Sequence, residues 1–104
     1  MKSLNLKSNI TSFLEYLFFK KKLEKNTILS YKRDVGSLER FISKQKAKTI
    51  ESATSKDIQD FISSDFERGL SARTIQRKAS TIRAFFYFLK ERKAIRNNPA
   101  RNIR

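Results

Sequence analysis

The sequence predicts a compact all-α fold, a bundle of four main helices. Apolar residues recur at helical spacing in four segments of the 104-residue chain, and no segment alternates as a half-buried strand does. Glycine occurs twice and proline once, so little interrupts these segments. A chain of this length buries a modest core without disulfides or metals, and we expect residues 1–104 to form one domain.

The first predicted helix runs from about Asn9 to Lys22, after an irregular start at residues 1–7. Tyr16 and Phe19 fall outside its apolar stripe. Two alternatives stay open for these aromatic side chains: a neighbouring helix or loop covers them, or they offer an apolar surface to a partner subunit. The predicted buried stripe consists of Ile10, Phe13, Leu14, Leu17 and Phe18.

The second predicted helix spans about Asn26 to Gln45, with either Asn26 or the earlier Glu24 at its N-cap. Gly36 lies inside it at a cost of about 1 kcal/mol relative to alanine. Either the close approach of another backbone or chance explains this glycine. The predicted core stripe consists of Ile28, Tyr31, Val35, Leu38 and Ile42. The opposite, basic and hydroxyl-bearing face consists of Asn26, Ser30, Arg33, Ser37, Arg40 and Lys44.

Residues 45–54 are predicted to be a loop, and a third helix extends from a cap at Thr54 or Ser55 to about Arg68. Gly69 supplies a left-handed residue that ends it. Its inward-facing residues are Ile58, Phe61, Ile62 and Phe66. Its acidic residues are Asp57, Asp60 and Asp65. We interpret these acids as a solvated face that points away from a polyanionic partner, and without histidine or cysteine they predict no metal site.

The fourth predicted helix, from Ser71 to Arg92, has two halves of different character. Ser71 is its predicted N-cap, and Leu70 is the hydrophobic staple before it. The second half is apolar on almost every side and anchors the helix. The apolar stripe consists of Ile75, Ala79, Ile82, Phe86 and Leu89. The other side of the first half consists of Arg73, Gln76, Arg77 and Ser80, with Arg83 near its edge.

A helix with this basic, polar first half fits the major groove of DNA. Arginine pairs with guanine and glutamine with adenine, so Arg73, Gln76 and Arg77 are the best candidates for contacts with base edges. After this helix, Asn98-Pro99 marks a turn or a helix stop, and Ile95 and Ile103 pack a short fifth helix or a turn. No cap closes the basic C-terminus, so we expect more protein beyond it.

The formal net charge is +14, with an isoelectric point near 10.5, and the charge is unevenly distributed. The segment from Arg68 to Arg104 holds eleven lysines and arginines against one acid, whereas Ser55 to Glu67 holds one lysine against four acids. This segregation favours a polyanionic partner, nucleic acid or an anionic membrane surface, over a generally basic protein with randomly placed charges. No apolar run is long enough to span a bilayer, and we expect a soluble cytoplasmic protein.

Common catalytic and cofactor sites are not predicted. Histidine and cysteine are absent, so imidazole catalysis, thiol nucleophiles and the usual metal sites are excluded. There is no glycine-rich phosphate loop, and no serine has a nearby base. We therefore expect no cofactor, no metal and no enzymatic activity in this chain.

Three runs of residues, in this order and spacing, resemble the signatures of the tyrosine recombinases, or phage integrases. The first is Asn26-Thr27-Ile28 followed by Tyr31-Lys32-Arg33-Asp34-Val35. The second is Ser71-Ala72-Arg73-Thr74-Ile75 with Arg77, Ala79-Ser80, Arg83 and Phe85-Phe86-Tyr87-Phe88-Leu89. The third, Asn98-Pro99-Ala100, is similar to the motif that closes the family's N-terminal domain. The runs are most similar to the core-binding domain of the Xer branch (XerC- or XerD-like), although Glu24 stands where that family often has a serine.

The resemblance implies a SAM-like four-helix bundle that presents its second and fourth helices to double-stranded DNA. It implies one jaw of a C-shaped clamp, whose other jaw is a catalytic domain of the same polypeptide that this chain lacks. It also implies further recombinase subunits in a tetrameric synapse, with Tyr16 and Phe19 as candidate contacts between subunits. The candidate DNA-binding residues are Asn26, Thr27, Ser30, Arg33, Ser37, Arg40, Lys44, Ser71, Arg73, Thr74, Gln76, Arg77, Ser80 and Arg83.

Three hypotheses follow from the sequence. The chain is the DNA-binding domain of a site-specific tyrosine recombinase, or a helical protein–protein interaction module with incidental basic charge, or a membrane-surface binder. The last hypothesis requires an amphipathic helix with an unpacked apolar face, whereas each predicted helix here has a packing partner.

Overall fold

The computed structural model describes residues 7–103, which form four α-helices and one 3₁₀ turn. The elements in chain order are α1 (Asn9–Phe19), α2 (Lys25–Lys46), the 3₁₀ turn (Ile50–Ser52), α3 (Ser55–Glu67) and α4 (Ala72–Glu91). No strand occurs within residues 7–103, and the predicted all-α bundle of four main helices is confirmed. Most of the predicted irregular start and the terminal Arg104 lie outside the described residues.

Side-chain caps begin α3 and α4 where the sequence predicts them. The Thr54 hydroxyl accepts a hydrogen bond from the Asp57 N–H at 3.1 Å, and the Asp57 carboxylate accepts one from the Thr54 N–H at 2.9 Å. This reciprocal pair is a capping box. The Ser71 hydroxyl likewise accepts from the Thr74 N–H at 3.1 Å. At α2 the N-cap position belongs to Glu24, so the earlier of the two predicted boundaries is correct.

Residues with positive φ end the helices. Gly69 has φ of +89°, and the following N–H of Leu70 returns to the Asp65 carbonyl, which confirms Gly69 as the left-handed residue that ends α3. The first helix is shorter than predicted because Lys22 adopts φ of +55° and the chain turns back there. The N–H of the next residue, Leu23, then bonds to the carbonyl of Leu17.

All four helices contribute to one apolar core centred on aromatic side chains. Phe13 of α1 packs edge-to-face on Phe85 of α4, with ring centroids 5.3 Å apart, and stacks on Tyr31 of α2 at 6.0 Å. On the other side of α2, Phe41 packs against Phe61 of α3 at 5.3 Å. The most deeply buried apolar residues are Phe13, Val35, Leu38, Ile42, Ile58, Ala79, Ile82, Phe85, Phe86, Leu89 and Ala100.

Two phenylalanines that the helical pattern placed in the core are exposed, so those predictions are wrong. Phe18 is 56% exposed in the last turn of α1, and Phe66 is 72% exposed in the last turn of α3. In α3 the inward position belongs to the preceding residue, Asp65, because Lys78 of α4 lies opposite and forms an ion pair with it at 2.6 Å. Phe66, about 100° further around the helix, then faces solvent.

The interpretation of the α3 acids as a solvated face is also wrong for two of the three residues. Asp57 and Asp65 are buried, and each carboxylate is paired with lysine or arginine. Burial of a carboxylate is stable only when such partners satisfy it. Lys78, which the sequence analysis did not single out, is itself buried over the Phe61 ring at 4.8 Å from the centroid.

The segment after α4 forms turns that pack against the core, and no fifth helix occurs up to residue 103. Ala100 and Ile103 are buried. The Ser55 hydroxyl donates to the Pro99 carbonyl at 2.8 Å, which ties this segment to the start of α3. The turn alternative of the sequence analysis is therefore correct. None of the helices in residues 7–103 has the length and apolar character that crossing a membrane requires.

Gly36 does not mark the approach of another backbone. A Cβ built at this position meets only the end of the Arg40 side chain within 4 Å, with Nη1 at 3.5 Å. That distance is an ordinary van der Waals contact with a flexible group. The explanation of Gly36 by a close backbone contact is therefore wrong.

Candidate nucleic-acid interface

The polar stripe of α2 is open to solvent along its length. Its cationic members Arg33, Arg40 and Lys44 are exposed and form no ion pair with any residue between 7 and 103. They follow one another at helical spacings of seven and four residues, so they share one face. The remaining members are the exposed Asn26 and the half-buried Ser30 and Ser37, and Thr27, a further DNA-binding candidate outside the stripe, is also exposed.

The polar stripe of α4 begins at its capped N-terminus. Arg73, Gln76 and Ser80 are exposed, and Arg73 makes no ion pair with another described residue. The Ser71 hydroxyl also bonds to the Thr74 hydroxyl at 3.1 Å, so two of the predicted DNA-binding hydroxyls are part of the cap. The helix N-terminus carries a partial positive charge, which adds to the attraction of this end for anions.

An ion pair between a buried aspartate and a half-exposed arginine joins the two stripes. Asp34 of α2 is only 2% exposed, and its carboxylate accepts from Arg77 Nη2 at 2.7 Å and from Arg77 Nε at 3.2 Å. Asp34 lies between Ser30 and Ser37 at spacings of four and three, and Arg77 lies likewise between Arg73 and Ser80. Residues at these spacings are neighbours on a helix surface, so both stripes border the same contact between α2 and α4.

Arg77 and Arg83, two of the predicted DNA-binding arginines, are therefore engaged within the domain. The Arg77 side chain stays 48% exposed although it holds Asp34. Arg83 is half-buried, and its Nη1 donates to the Ile103 carbonyl at 2.9 Å. The structure thus divides the predicted cations into exposed ones without partners and two that hold other parts of the domain together. Asp34 belongs to the first family signature, but sequence reasoning assigned it no partner, because Arg77 lies 43 positions away.

Lysine and arginine partners neutralise the three aspartates of α3. Hydrogen bonds from Lys46 at 2.7 Å and from Lys56 hold the pKa of the Asp60 carboxyl below its ordinary value. Burial pushes the pKa of Asp57 upward, but hydrogen bonds from Lys48 and from Thr54 outweigh it, and the net shift is downward. These carboxylates stay charged at neutral pH within their ion pairs. No cluster of acidic side chains placed to hold a metal ion occurs in residues 7–103.

The two aromatic residues predicted as candidate subunit contacts differ in their surroundings. Tyr16 is half-buried, and its ring packs on Phe88 of α4 at a centroid distance of 5.1 Å. A neighbouring helix therefore covers much of Tyr16, as the first alternative expected. Phe19 is 66% exposed and packs edge-on against the equally exposed Phe18 at 4.8 Å. This exposed aromatic pair has no other aromatic neighbour within the described part of the chain.

Comparison with known proteins identifies the family. The sequence profile of the family described as "Phage integrase, N-terminal SAM-like domain" matches residues 10–93. No solved structure matches the chain significantly.

Among curated proteins, the chain is similar to tyrosine recombinases. It is 38% identical to the tyrosine recombinase XerC of Bacillus licheniformis over 95 residues, which cover 91% of this chain and 31% of that protein. It is 38% identical to the tyrosine recombinase XerD of Rickettsia bellii over 94 residues, which cover 90% and 30% respectively. The chain thus spans about a third of the length of these relatives. It belongs to the phage integrase N-terminal SAM-like domain family, as found in XerC- and XerD-type tyrosine recombinases.

Proposed function

We propose that this chain is the DNA-binding domain of a site-specific tyrosine recombinase, and that the stripes of α2 and α4 together hold one recombination half-site. The observation that carries the proposal is the Asp34–Arg77 ion pair. It places the two basic stripes on either side of one contact between α2 and α4, which we call the seam. Exposed cations without an ion-pair partner in the described part of the chain lie on both sides of that seam at Arg33, Arg40 and Arg73. Unpaired cations of this kind are available to neutralise phosphates.

Within the proposed interface, different residues serve different purposes. Contacts from lysine, arginine and hydroxyl groups to phosphates set the position of a protein on DNA, whereas contacts in the major groove discriminate bases. Arg73 and Gln76 lie in the first turns of α4, where a helix that enters the groove by its N-terminus reaches base edges. The α2 cations Arg33, Arg40 and Lys44 then contact the phosphate backbone.

In the full-length protein this domain would form one jaw of a clamp around DNA. The second jaw would be a catalytic domain of the same polypeptide, and further subunits would complete a tetrameric synapse. The names and lengths of the relatives support this arrangement, since the chain corresponds to about a third of a tyrosine recombinase. Such a protein supports DNA integration or the resolution of chromosome dimers. The domain alone would bind DNA without cleaving it.

A helical protein–protein interaction module is the second candidate function. The exposed Phe18 and Phe19 pair at the end of α1 favours it, because clustered apolar side chains mark contact surfaces. The two functions are compatible in one domain, since the aromatic pair and the ion-pair seam belong to different helices.

Binding to duplex DNA over a series of salt concentrations tests the proposal, with anionic lipid vesicles as the competing polyanion. If about six phosphates are neutralised, the logarithm of the affinity falls with the logarithm of salt concentration at a slope near −5. The proposal requires DNA binding at low salt. Vesicle binding alone would support a membrane-surface role, and the absence of binding to either would support the interaction module.

A further inference from the structure

The ion pair at the α2–α4 seam leaves one edge of the Arg77 guanidinium available. A guanidinium carries five N–H donors in a planar fork. Asp34 takes the side edge, because it accepts from Nε and from Nη2. The end edge, formed by one hydrogen of Nη1 and the second hydrogen of Nη2, has no partner among the described residues. These two hydrogens are parallel and suit a pair of acceptor atoms.

The carboxylate that orients this guanidinium is itself fixed. Asp34 is buried, and besides the two bonds from Arg77 it accepts a third from the Thr81 hydroxyl at 3.1 Å. Every buried polar side-chain atom in the described residues has a partner. The Arg77 side chain is therefore held in one orientation while remaining 48% exposed. Arg33 and Arg73, by contrast, have no ion pair with a residue from 7 to 103 to orient them and must lose side-chain freedom when they bind.

We propose that Asp34 is a positioning residue, which holds Arg77 so that its end edge donates two hydrogen bonds to a pair of acceptors on DNA. The acceptors are two oxygens of one phosphate or the O6 and N7 atoms of a guanine, since both present the required spacing. This inference rests on the proposed DNA-binding function and adds a rigid, oriented donor pair at the seam between the stripes.

Because Asp34 is negatively charged, the proposal and a simple charge effect predict opposite changes in DNA affinity when Asp34 is replaced. A carboxylate beside a polyanion repels it, so removal of Asp34 would strengthen DNA binding if charge alone mattered. If Asp34 positions Arg77, its removal weakens binding even though the net charge rises. The test variant is Asp34→Asn, and Asp60→Asn is the matched control, because it removes a carboxylate from α3 that Lys46 and Lys56 hold.

Affinity for a mixed-sequence duplex is measured by fluorescence anisotropy, at a temperature where circular dichroism shows each variant to be folded. We expect Asp34→Asn to bind about fivefold more weakly and Asp60→Asn to bind as the wild type does. In an Arg77→Ala background Asp34→Asn has no further effect, because the residue it positions is gone. Binding of Asp34→Asn as tight as that of the wild type, or tighter, overturns the proposal.

If Asp34→Asn does not fold, the same affinity measurement is made with the variant Arg77→Lys. Lysine keeps the charge and an ion pair with Asp34, but its single ammonium has no second, parallel donor pair. We expect about fivefold weaker binding, whereas wild-type affinity overturns the proposal. On a duplex of A·T pairs only, the difference between the wild type and Arg77→Lys persists if the acceptor is phosphate and disappears if it is guanine.

Failure of this inference is distinguishable from failure of the proposed function. If the wild type binds no DNA at low salt, both fail. If Arg73→Ala weakens binding while Asp34→Asn and Arg77→Lys do not, the DNA-binding face stands and only the positioning role is lost.

Discussion

Individual side chains decide which of the predicted cations are available to DNA. The sequence pattern places Arg73 and Arg77 on one side of the fourth helix, with Arg83 near the edge of that side, and does not reveal which of the three has a partner. The structure separates them: Arg73 has no ion pair within residues 7–103, Arg77 holds Asp34, and Arg83 holds the C-terminal turn. Substitution of Arg73 would therefore remove the proposed DNA contact without breaking an ion pair among residues 7–103, which makes it the cleanest probe of the proposed interface.

We expect Arg73→Ala to weaken duplex binding about fivefold or more, since one charge-assisted contact to a base or phosphate is lost. Thermal stability should stay close to that of the wild type. Lys56→Ala is the matched control, because it also removes one positive charge, from a side chain on α3 that is 80% exposed. Titrations by fluorescence anisotropy compare the two. Equal losses for both variants would mean that net charge, not the α4 stripe, drives binding.

At the scale of elements, α2 contains one residue that lowers its stability. Gly36 interrupts the middle of α2, and the structure leaves room for a methyl group beside the flexible end of Arg40. We expect Gly36→Ala to raise the free energy of unfolding by about 0.5–1 kcal/mol, because alanine loses less backbone entropy in a helix. Denaturant unfolding followed by circular dichroism measures the change. A destabilised variant would show that Gly36 avoids a contact that the helix geometry does not reveal.

The Asp57 carboxylate, held by Lys48 and by the capping box of α3, makes the stability of the domain depend on pH. The folded-state pKa of Asp57 lies below its ordinary value of 3.8, so the ionised form is favoured by folding. Its contribution is present above that value and is lost as the pH falls through the lower, folded pKa. We expect Asp57→Asn to have a lower melting temperature than the wild type at pH 6, and this difference to narrow towards pH 3. A difference that stays constant with pH would exclude the charge of Asp57 as the cause.

At the scale of elements, the sequence predicts helices and caps well because these depend on neighbouring residues. Thr54, Ser71 and Gly69 act as predicted, since a cap involves only the next few positions. The choice between Asp65 and Phe66 for the buried side of α3 depends instead on Lys78, which belongs to another helix. Hydrophobicity alone favours the phenylalanine, so the helical pattern misplaces both residues.

At the scale of the whole molecule, the region around α3 contains ion pairs, and the two stripes on α2 and α4 expose positive charge. The three aspartates of α3 are neutralised by Lys46, Lys48 and Lys78, whereas within residues 7–103 the stripe cations Arg33, Arg40, Lys44 and Arg73 have no ion pair. The net charge of +14 predicts a polyanionic partner, but it does not say which surface meets that partner. The Asp34–Arg77 contact supports the proposal that the two stripes form that surface, and no local pattern reveals this contact because the two residues lie on different helices.

Titration of the isotope-labelled domain with duplex DNA, followed by amide chemical shifts in NMR spectra, tests the central claim most directly. We predict that the largest shifts lie in the stripes of α2 and α4, between Asn26 and Lys44 and between Ser71 and Arg83. Amides on the outer side of α3, such as Lys56 and Ser63, should change little. Shifts concentrated on α3 or on the Phe18 and Phe19 pair, with the two stripes unaffected, would contradict the account.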